Sequence, residues 1–319
     1  MDILLHSLQM IAGFALLTYG ANWLVSGGST LALRVGISTT VVGLTVMAFG
    51  TSMPELTVNV TSAVSGSTGI ALGNILGSNI ANIALILGVT ALIAPMTVHE
   101  DFLGRDFLWM MGASLALFLT MLDGSLDWYE GLVFLALGIG YTGYLVRTGG
   151  VPEEAVPGAT GDDAASGRPN LWRNVGLVAL GLAALMGGGK LCVDSAVSFA
   201  RLFGMSERVI GLTVIAVGTS LPEFAASLVA ALKGKSEMAI GNIIGSNIFN
   251  ILIILGVTSL IRPIEATVNT QFYVDMGVML GVTALLWPLM RTGMALVRVE
   301  GALLFGVYAA YVTYLLALA

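Results

Sequence analysis

The chain has 319 residues, of which 56% are apolar and only 10% charged, and its formal net charge is −6. Soluble domains carry about 25% charged residues, so this composition excludes an ordinary soluble protein and indicates one whose main partner is the lipid bilayer. The acidic excess lies largely in short loops and one linker, and we expect no nucleic acid among the partners.

Ten mostly apolar stretches follow one another along the chain, each near the ~20 residues that a helix needs to cross a bilayer. We number them spans 1 to 10, near residues 3–25, 38–64, 69–94, 105–122, 128–147, 172–200, 207–232, 236–261, 272–290 and 299–317. Span 1 has no basic region and no small-residue cleavage site, so we expect a membrane helix rather than a signal peptide. The predicted fold is an all-α polytopic membrane protein with ten transmembrane helices.

An internal repeat covers spans 2–3 and spans 7–8. Residues 43–90 align with residues 211–258 at a constant offset of 168, without a gap, and 27 of the 48 positions are identical. The anchors are GLTVMAFGTSMPE against GLTVIAVGTSLPE and GNILGSNIANI against GNIIGSNIFNI. Chance similarity between apolar segments would repeat Leu, Val and Ala, but not these polar residues in register. The chain therefore contains a duplication.

The two copies are expected to have opposite orientations, because five spans precede the midpoint and five follow it. Many secondary transporters consist of such inverted repeats, with the substrate site near the bilayer midplane between the copies. We expect a first repeat over residues 1–147, a linker over 148–171 and a second repeat over 172–319. The linker is rich in Gly and Pro and acidic, so we expect it to be flexible. A regulatory calcium site in it is an alternative without EF-hand spacing.

The Lys and Arg residues predict which side of the membrane each loop faces. Of the thirteen, nine follow odd-numbered spans and three follow even-numbered spans. Cytoplasmic loops carry the excess of Lys and Arg. The linker is therefore predicted to be cytoplasmic and both termini extracytoplasmic.

Span 2 combines oxygen-bearing side chains with a helix break. Pro54 has no N–H, which frees the carbonyl of Gly50 and disfavours a straight helix. Four residues spaced i, i+3, i+4 and i+7 share one helix face; they are Ala48, Thr51, Ser52 and Glu55. Span 7 repeats the set with Ala216, Thr219, Ser220, Pro222 and Glu223.

Spans 3 and 8 carry a second polar stripe at i, i+4 and i+8. Its members are Asn74, Ser78 and Asn82 in span 3 and Asn242, Ser246 and Asn250 in span 8. Asn and Ser in membrane helices often hydrogen-bond between helices, and small residues such as the neighbouring glycines allow close packing. For Asn74 and Asn242, helix packing and ion binding remain equally open.

Glu55 and Glu223 indicate a cation site. A carboxylate at the bilayer centre costs a few kcal/mol, and neither motif contains a Lys or Arg that would pair with it. A mobile cation explains the missing counter-charge better than a structural role does. Hydroxyl, amide and carbonyl oxygens surround the carboxylates, and calcium takes six to eight such oxygens.

Other functional classes fit less well. A calcium channel would use the same acidic oxygens, but broken helices in inverted repeats favour a carrier. An intramembrane protease needs a Ser/His pair or paired Asp motifs, which the sequence does not contain. We expect neither enzymatic activity nor a cofactor.

These motifs resemble the cation/calcium exchanger superfamily, specifically its prokaryotic sodium/calcium exchangers. The similarity covers the ten-span layout and both signature repeats. It implies an antiporter that exchanges sodium for calcium by alternating access, in a prokaryotic plasma membrane and without an obligate protein partner. It also implies that spans 1 and 6 slide as a pair against the other eight.

The resemblance further implies a four-site ion cluster at the midplane. From the first repeat it would take Ala48, through its carbonyl, and Thr51, Ser52, Glu55, Ser78 and Asn82. From the second it would take Ala216, through its carbonyl, and Thr219, Ser220, Glu223, Ser246 and Asn250.

One departure from the family pattern concerns Asn250, where several relatives carry Asp. With Asn at both 82 and 250, the formal charge of the site is −2, which argues against a potassium requirement. The proton-coupled branch shows Gly-Asn-Ala-x-Glu in place of the Thr-Ser-x-Pro element found here. Sodium is therefore the expected coupling ion, and a proton-coupled calcium exchanger is the alternative.

Overall fold

The structure is a computed structural model that describes residues 2–149, 171–204 and 216–318. Its helices are α1 (Asp2–Val35), α2 (Thr39–Thr51), α3 (Met53–Val64), α4 (Thr68–Ile93), α5 (Phe102–Asp123), α6 (Trp128–Thr148), α7 (Leu171–Leu202), α8 (Ala216–Thr219), α9 (Leu221–Leu232), α10 (Ser236–Ile261), α11 (Thr270–Arg291) and α12 (Arg298–Leu318). Four two-residue strands connect them: β1 (Met96–Thr97), β2 (Ser125–Leu126), β3 (Ile264–Glu265) and β4 (Ala295–Leu296).

The described residues form a mostly helical, polytopic fold. Eight of their helices are long and apolar enough to cross a membrane, and the bent pair α2–α3 raises the number to nine. Predicted span 7 begins in residues 205–215, outside the described residues, which contain its later part as α8 and α9. Residues 150–170, most of the predicted linker, also lie outside the described part.

The first helix is longer than the sequence analysis predicted, ending at Val35 rather than near residue 25. The polar run that follows residue 25 remains helical because its hydroxyls bond back to the helix. Thr30 Oγ1 donates to the carbonyl of Ser26 at 2.9 Å, and Ser29 Oγ donates to the same carbonyl at 3.2 Å. Hydroxyls bonded in this way need no water, so the helix continues.

Helices α4 and α10 form the centre of the molecule. In the most apolar 18-residue stretch of each, 78% of the residues are buried inside the protein, against 17% for α1 and α12. Apart from a few polar residues, both central helices are apolar or small-sided on every face, which is typical of helices surrounded by other helices. They carry the second polar stripe, so the core places that stripe on the inside.

Close backbone contact joins α10 to α2. A Cβ added to Gly245 would lie 2.6 Å from the carbonyl oxygen of Leu44, and one added to Gly241 would lie 3.1 Å from that of Thr40. Only glycine allows this approach. Of the four glycines that flank the second polar stripe, Gly241 and Gly245 pack closely as predicted, whereas among the described residues nothing lies within 4 Å of a Cβ on Gly73 or Gly77, so the prediction was wrong for these two.

Helices α1 and α7 pair along their length in a similar way. A Cβ on Gly188 would lie 2.8 Å from the carbonyl oxygen of Gly13, and one on Gly181 would lie 2.8 Å from that of Gly20. Small residues at such crossings maximise van der Waals contact between helices in a lipid environment. The two long helices therefore form one packed unit.

The short strands tie the two halves of the sequence together. Strand β1 pairs antiparallel with β4, and β2 pairs antiparallel with β3. Each pair takes one strand from the first half and one from the second. The two copies thus contact each other reciprocally at both pairs.

Candidate ion-binding site

The break between α2 and α3 follows from the local sequence. The two helices are bent by 45°. Ser52 lies between them with φ −83° and ψ 10°, and Pro54 lies in the first turn of α3. Glu55 therefore sits at the N-terminal end of α3, where the helix dipole favours a negative charge. The predicted broken helix is present.

The second copy repeats this arrangement between α8 and α9. Ser220 has φ −91° and ψ 9°, Pro222 lies in the first turn of α9, and Glu223 follows it. Thr219, the last residue of α8, is half-buried. Ala216 begins α8, the first described segment after the gap.

The two glutamates contact the opposite copy. Ser52 Oγ donates to Glu223 Oε1 at 3.0 Å, and Ser220 Oγ donates to Glu55 Oε1 at 3.2 Å. Ser78 Oγ also donates to Glu55 Oε1, at 3.4 Å. Both glutamates are 1% exposed. The fold thus brings two buried carboxylates from distant parts of the sequence into one polar centre.

Several oxygens in this centre have no hydrogen-bond partner. Among the described residues, eight buried side-chain polar atoms are unpaired, and five of them belong to predicted site residues. These five are Glu55 Oε2, Asn82 Oδ1, Glu223 Oε2, Ser246 Oγ and Asn250 Oδ1. Buried polar groups normally find partners, because leaving one unpaired costs about 1–3 kcal/mol. Unpaired oxygens in such number fit a cation site.

The charge balance supports the same interpretation. Within the described part of the chain, neither glutamate forms an ion pair. No group of three or more His, Cys, Asp and Glu residues suited to a metal ion occurs there. The donors are instead two carboxylates with hydroxyl and amide oxygens, the ligands of hard cations such as calcium and sodium.

Ala48 and Thr51 are buried beside the break but already engaged within the helix. The carbonyl of Ala48 accepts from the N–H of Ser52 at 3.1 Å. Thr51 Oγ1 lies within hydrogen-bonding distance of the carbonyl of Met47, at 3.0 Å, and of Asn242 Oδ1, at 3.3 Å. Each of these oxygens has a further lone pair that could face an ion.

Asn242 acts as a helix connector. Its Nδ2 donates to Ser227 Oγ at 3.0 Å and to the main-chain carbonyl of Glu223 at 3.4 Å, while its Oδ1 faces Thr51. Both ends of the amide are therefore occupied. Of the two roles left open by the sequence, helix packing is favoured for Asn242.

Sequence analysis missed two central residues, Asn79 and Asn247. Each is 1% exposed, and each donates from Nδ2 to the main-chain carbonyl of the other, at 3.4 and 3.3 Å. Asn82 Nδ2 donates to Asn247 Oδ1 at 2.9 Å, and Asn250 Nδ2 donates to Asn79 Oδ1 at 2.9 Å. The repetition of Gly-Ser-Asn-Ile in both copies was the signal that could have found them.

The regular α-helical geometry is interrupted at Asn82 and at Asn250. Residues Ala81–Leu87 and Asn250–Leu255 form π-helical turns inside α4 and α10. Such turns are frequent at functional sites, because the extra residue re-aims side chains and loosens backbone hydrogen bonding. Both amides therefore sit where the helix departs from regular geometry.

Two further aspartates tie outer helices together, away from this centre. Asp106 accepts from Tyr141 Oη at 3.1 Å and pairs with Arg105 through contacts of 2.7 and 3.1 Å. In the second half, Asp275 accepts from Tyr311 Oη at 2.8 Å. These bonds join α5 to α6 and α11 to α12.

Comparison with known proteins agrees with this architecture. Residues 5–147 and 173–317 match the family model described as sodium/calcium exchanger protein. The protein CaxA of Alkalimonas amylolytica is 40% identical over 262 residues, covering 82% of each chain. Sodium/calcium exchanger MaX1 of Methanosarcina acetivorans is 32% identical and covers 98% of this chain and 99% of its own.

A solved structure shares the fold over almost its whole length. The sodium-calcium exchanger NCX_Mj, crystals of which were soaked without sodium and calcium, superposes with a TM-score of 0.84 at 32% identity. The match covers 98% of this chain and 99% of that chain.

Proposed function

The chain belongs to the sodium/calcium exchanger family, and from this premise we propose which residues bind the ions and how the chain lies in the membrane. It is an integral membrane antiporter that exchanges sodium for calcium, not an enzyme. The two ions are its substrates, and no cofactor is required. The proton-coupled alternative is not favoured.

The proposed ion site consists of the six predicted residues of each copy. The observation that carries the proposal is the set of buried, unpaired oxygens on Glu55, Glu223, Asn82, Asn250 and Ser246. Ser52, Ser78 and Ser220 complete it through their bonds to the carboxylates. Thr51, Thr219 and the carbonyls of Ala48 and Ala216 are assigned by their place in the two motifs.

The charge of this site explains exchange. Two unpaired carboxylates give the empty site a charge of −2, which is costly to move through a low-dielectric barrier. One calcium ion neutralises this charge, as do two sodium ions, and a third sodium leaves a net positive charge. The protein should therefore switch access from one side of the membrane to the other far more readily with the site loaded than with it empty, as antiport requires.

We further propose ten membrane spans in two inverted halves, residues 1–147 and 172–319. The repeat at an offset of 168 supports this arrangement, and so do the reciprocal bonds of Ser52 with Glu223 and Ser220 with Glu55. The glycine contacts between α1 and α7 support the sliding of these two helices as a pair.

The orientation proposal has both termini outside the cytoplasm of a prokaryotic plasma membrane. The nine-to-three distribution of Lys and Arg supports it. The strand pairing supports the underlying alternation of sides, since β1 and β4 follow odd-numbered spans and β2 and β3 follow even-numbered spans, while the choice of the cytoplasmic side rests on the Lys and Arg residues. No protein partner is part of the proposal.

The decisive test of the site replaces each glutamate separately. Glu55→Gln or Glu223→Gln keeps the size of the side chain but leaves the site at −1. At 4 Å and an effective dielectric near 20, one charge is worth about 4 kcal/mol, roughly a thousandfold in calcium affinity. Sodium-driven calcium-45 uptake into proteoliposomes should be abolished.

The matched control is Glu265→Gln on strand β3, whose side chain is exposed and which should transport normally. Thermal melting of each purified variant checks folding. A glutamate variant that folds and still exchanges calcium at more than about a tenth of the normal rate would remove that residue from the site.

A further inference from the structure

Four buried asparagines form a hydrogen-bond network between α4 and α10. Asn79, Asn82, Asn247 and Asn250 are each 0–1% exposed. The bonds form two chains that mirror each other across the contact between the copies. In each chain, a main-chain carbonyl of one copy leads through two amides to an unpaired oxygen.

The main-chain carbonyls decide the polarity of each chain. A carbonyl oxygen only accepts, so the side of the Asn247 amide that faces the carbonyl of Asn79 must be its NH₂ group. Asn247 Oδ1 then faces Asn82, which must present its own NH₂ group, at 2.9 Å. The oxygen of Asn82 is left pointing away from the network, buried and unpaired.

The mirrored chain behaves in the same way. The carbonyl of Asn247 accepts from Asn79 Nδ2, Asn79 Oδ1 accepts from Asn250 Nδ2, and Asn250 Oδ1 is left unpaired. Each outer asparagine is thus oriented by a residue that its own copy does not supply.

We propose that Asn79 and Asn247 are positioning residues for transport: Asn79 turns the amide oxygen of Asn250 toward the ions, and Asn247 does the same for Asn82. This inference rests on the ion site proposed above. A neutral amide serves a cation through its oxygen but repels it through its NH₂ group, so an asparagine ligand needs a fixed polarity. Aspartate would not need it, because both of its atoms are oxygen.

The test exploits this difference between asparagine and aspartate. Asn79→Leu removes the acceptor that holds Asn250 and leaves the amide free to turn. Loss of a residue that orients a metal ligand typically weakens binding about 10–100-fold, and we expect a calcium affinity lower by that factor. Calorimetric titration of the purified protein with calcium measures it.

The rescue must be specific for the partner. In an Asn250→Asp background, adding Asn79→Leu should change the calcium affinity by no more than about twofold, because the aspartate offers oxygen either way. In an Asn82→Asp background, which adds the same charge, the loss of about 10–100-fold should persist. For Asn247→Leu the pattern should reverse, with rescue by Asn82→Asp alone.

A role in packing alone gives a different result. The loss caused by Asn79→Leu would then be the same in both aspartate backgrounds, and the proposal would fail. If Glu55→Gln still binds and exchanges calcium, the proposed ion site fails instead. The two failures are therefore distinguishable.

Thermal melting in the absence of calcium measures whether each variant is folded. Should the leucine variant not fold, Asn79→Ala takes its place in every comparison. Alanine leaves room for a water molecule, which donates as readily as it accepts and so does not fix the polarity of Asn250. The same partner-specific rescue is expected, and its absence would overturn the proposal.

Discussion

Ser52 Oγ donates a hydrogen bond to Glu223 Oε1 at 3.0 Å, across 171 positions of sequence, and Ser220 returns the contact to Glu55 at 3.2 Å. Each copy thus supplies a hydroxyl to the carboxylate of the other. Neither copy can assemble this centre alone, so the centre requires the motif of both copies.

The reciprocal contact predicts similar losses when either serine is replaced. Each serine is a proposed ion ligand and also orients a carboxylate of the site, so Ser52→Ala and Ser220→Ala should each weaken calcium binding about 10–100-fold. Ser198→Ala is the control, because within the described part of the chain that hydroxyl bonds only to the carbonyl of Asp194 on α7. Calcium titration of the three variants checks this; a normal affinity for both site variants would contradict it.

Calcium transport should depend on sodium on the opposite side. An outward sodium gradient should drive calcium-45 uptake at constant pH, and vesicles without internal sodium or calcium should take up little, since the empty site carries −2. A pH gradient in the absence of sodium serves as the control. Uptake driven by that gradient alone would instead identify a proton-coupled exchanger.

The charge distribution of the loops predicts where the linker lies. In a Cys192→Ala background, Thr160→Cys should react with a membrane-impermeant maleimide only after the cytoplasmic side is opened. Asp123→Cys, at the exposed end of α5 just before β2, should react in intact cells. Labelling of position 160 from outside intact cells would reverse the orientation proposed here.

Two neighbouring glycines of α7 test the pairing of α1 and α7. A Cβ on Gly188 would lie 2.8 Å from the carbonyl oxygen of Gly13, whereas within the described residues nothing lies within 4 Å of one on Gly187. Overpacking costs about 1–3 kcal/mol, so Gly188→Ala should lower the melting temperature. Gly187→Ala should leave it unchanged or raise it, since alanine favours a helix. Equal melting temperatures would argue against the close crossing.

Much of the fold and of the candidate site was predictable from the sequence, for definite reasons. Apolar stretches of about twenty residues must become helices in a membrane, where unpaired backbone groups are costly. Pro54 and Pro222 predicted the breaks because proline lacks an N–H. Unpaired glutamates in such helices predicted a cation. Even so, the polar run after residue 25 suggested that α1 ends there, because hydroxyls that bond back to the same helix look like a loop in the sequence.

Contacts between the copies were decided only by the tertiary structure. A sequence repeat shows that two segments are alike but not which of their atoms are in contact. The hydrogen bond between Ser52 and Glu223 could therefore not be predicted from it. For the same reason the sequence did not predict a role for Asn79 and Asn247, which lie one residue away from the predicted stripe. Their role depends on which end of an amide faces a carbonyl of the other copy, and that is set by three-dimensional geometry rather than by residue type or spacing.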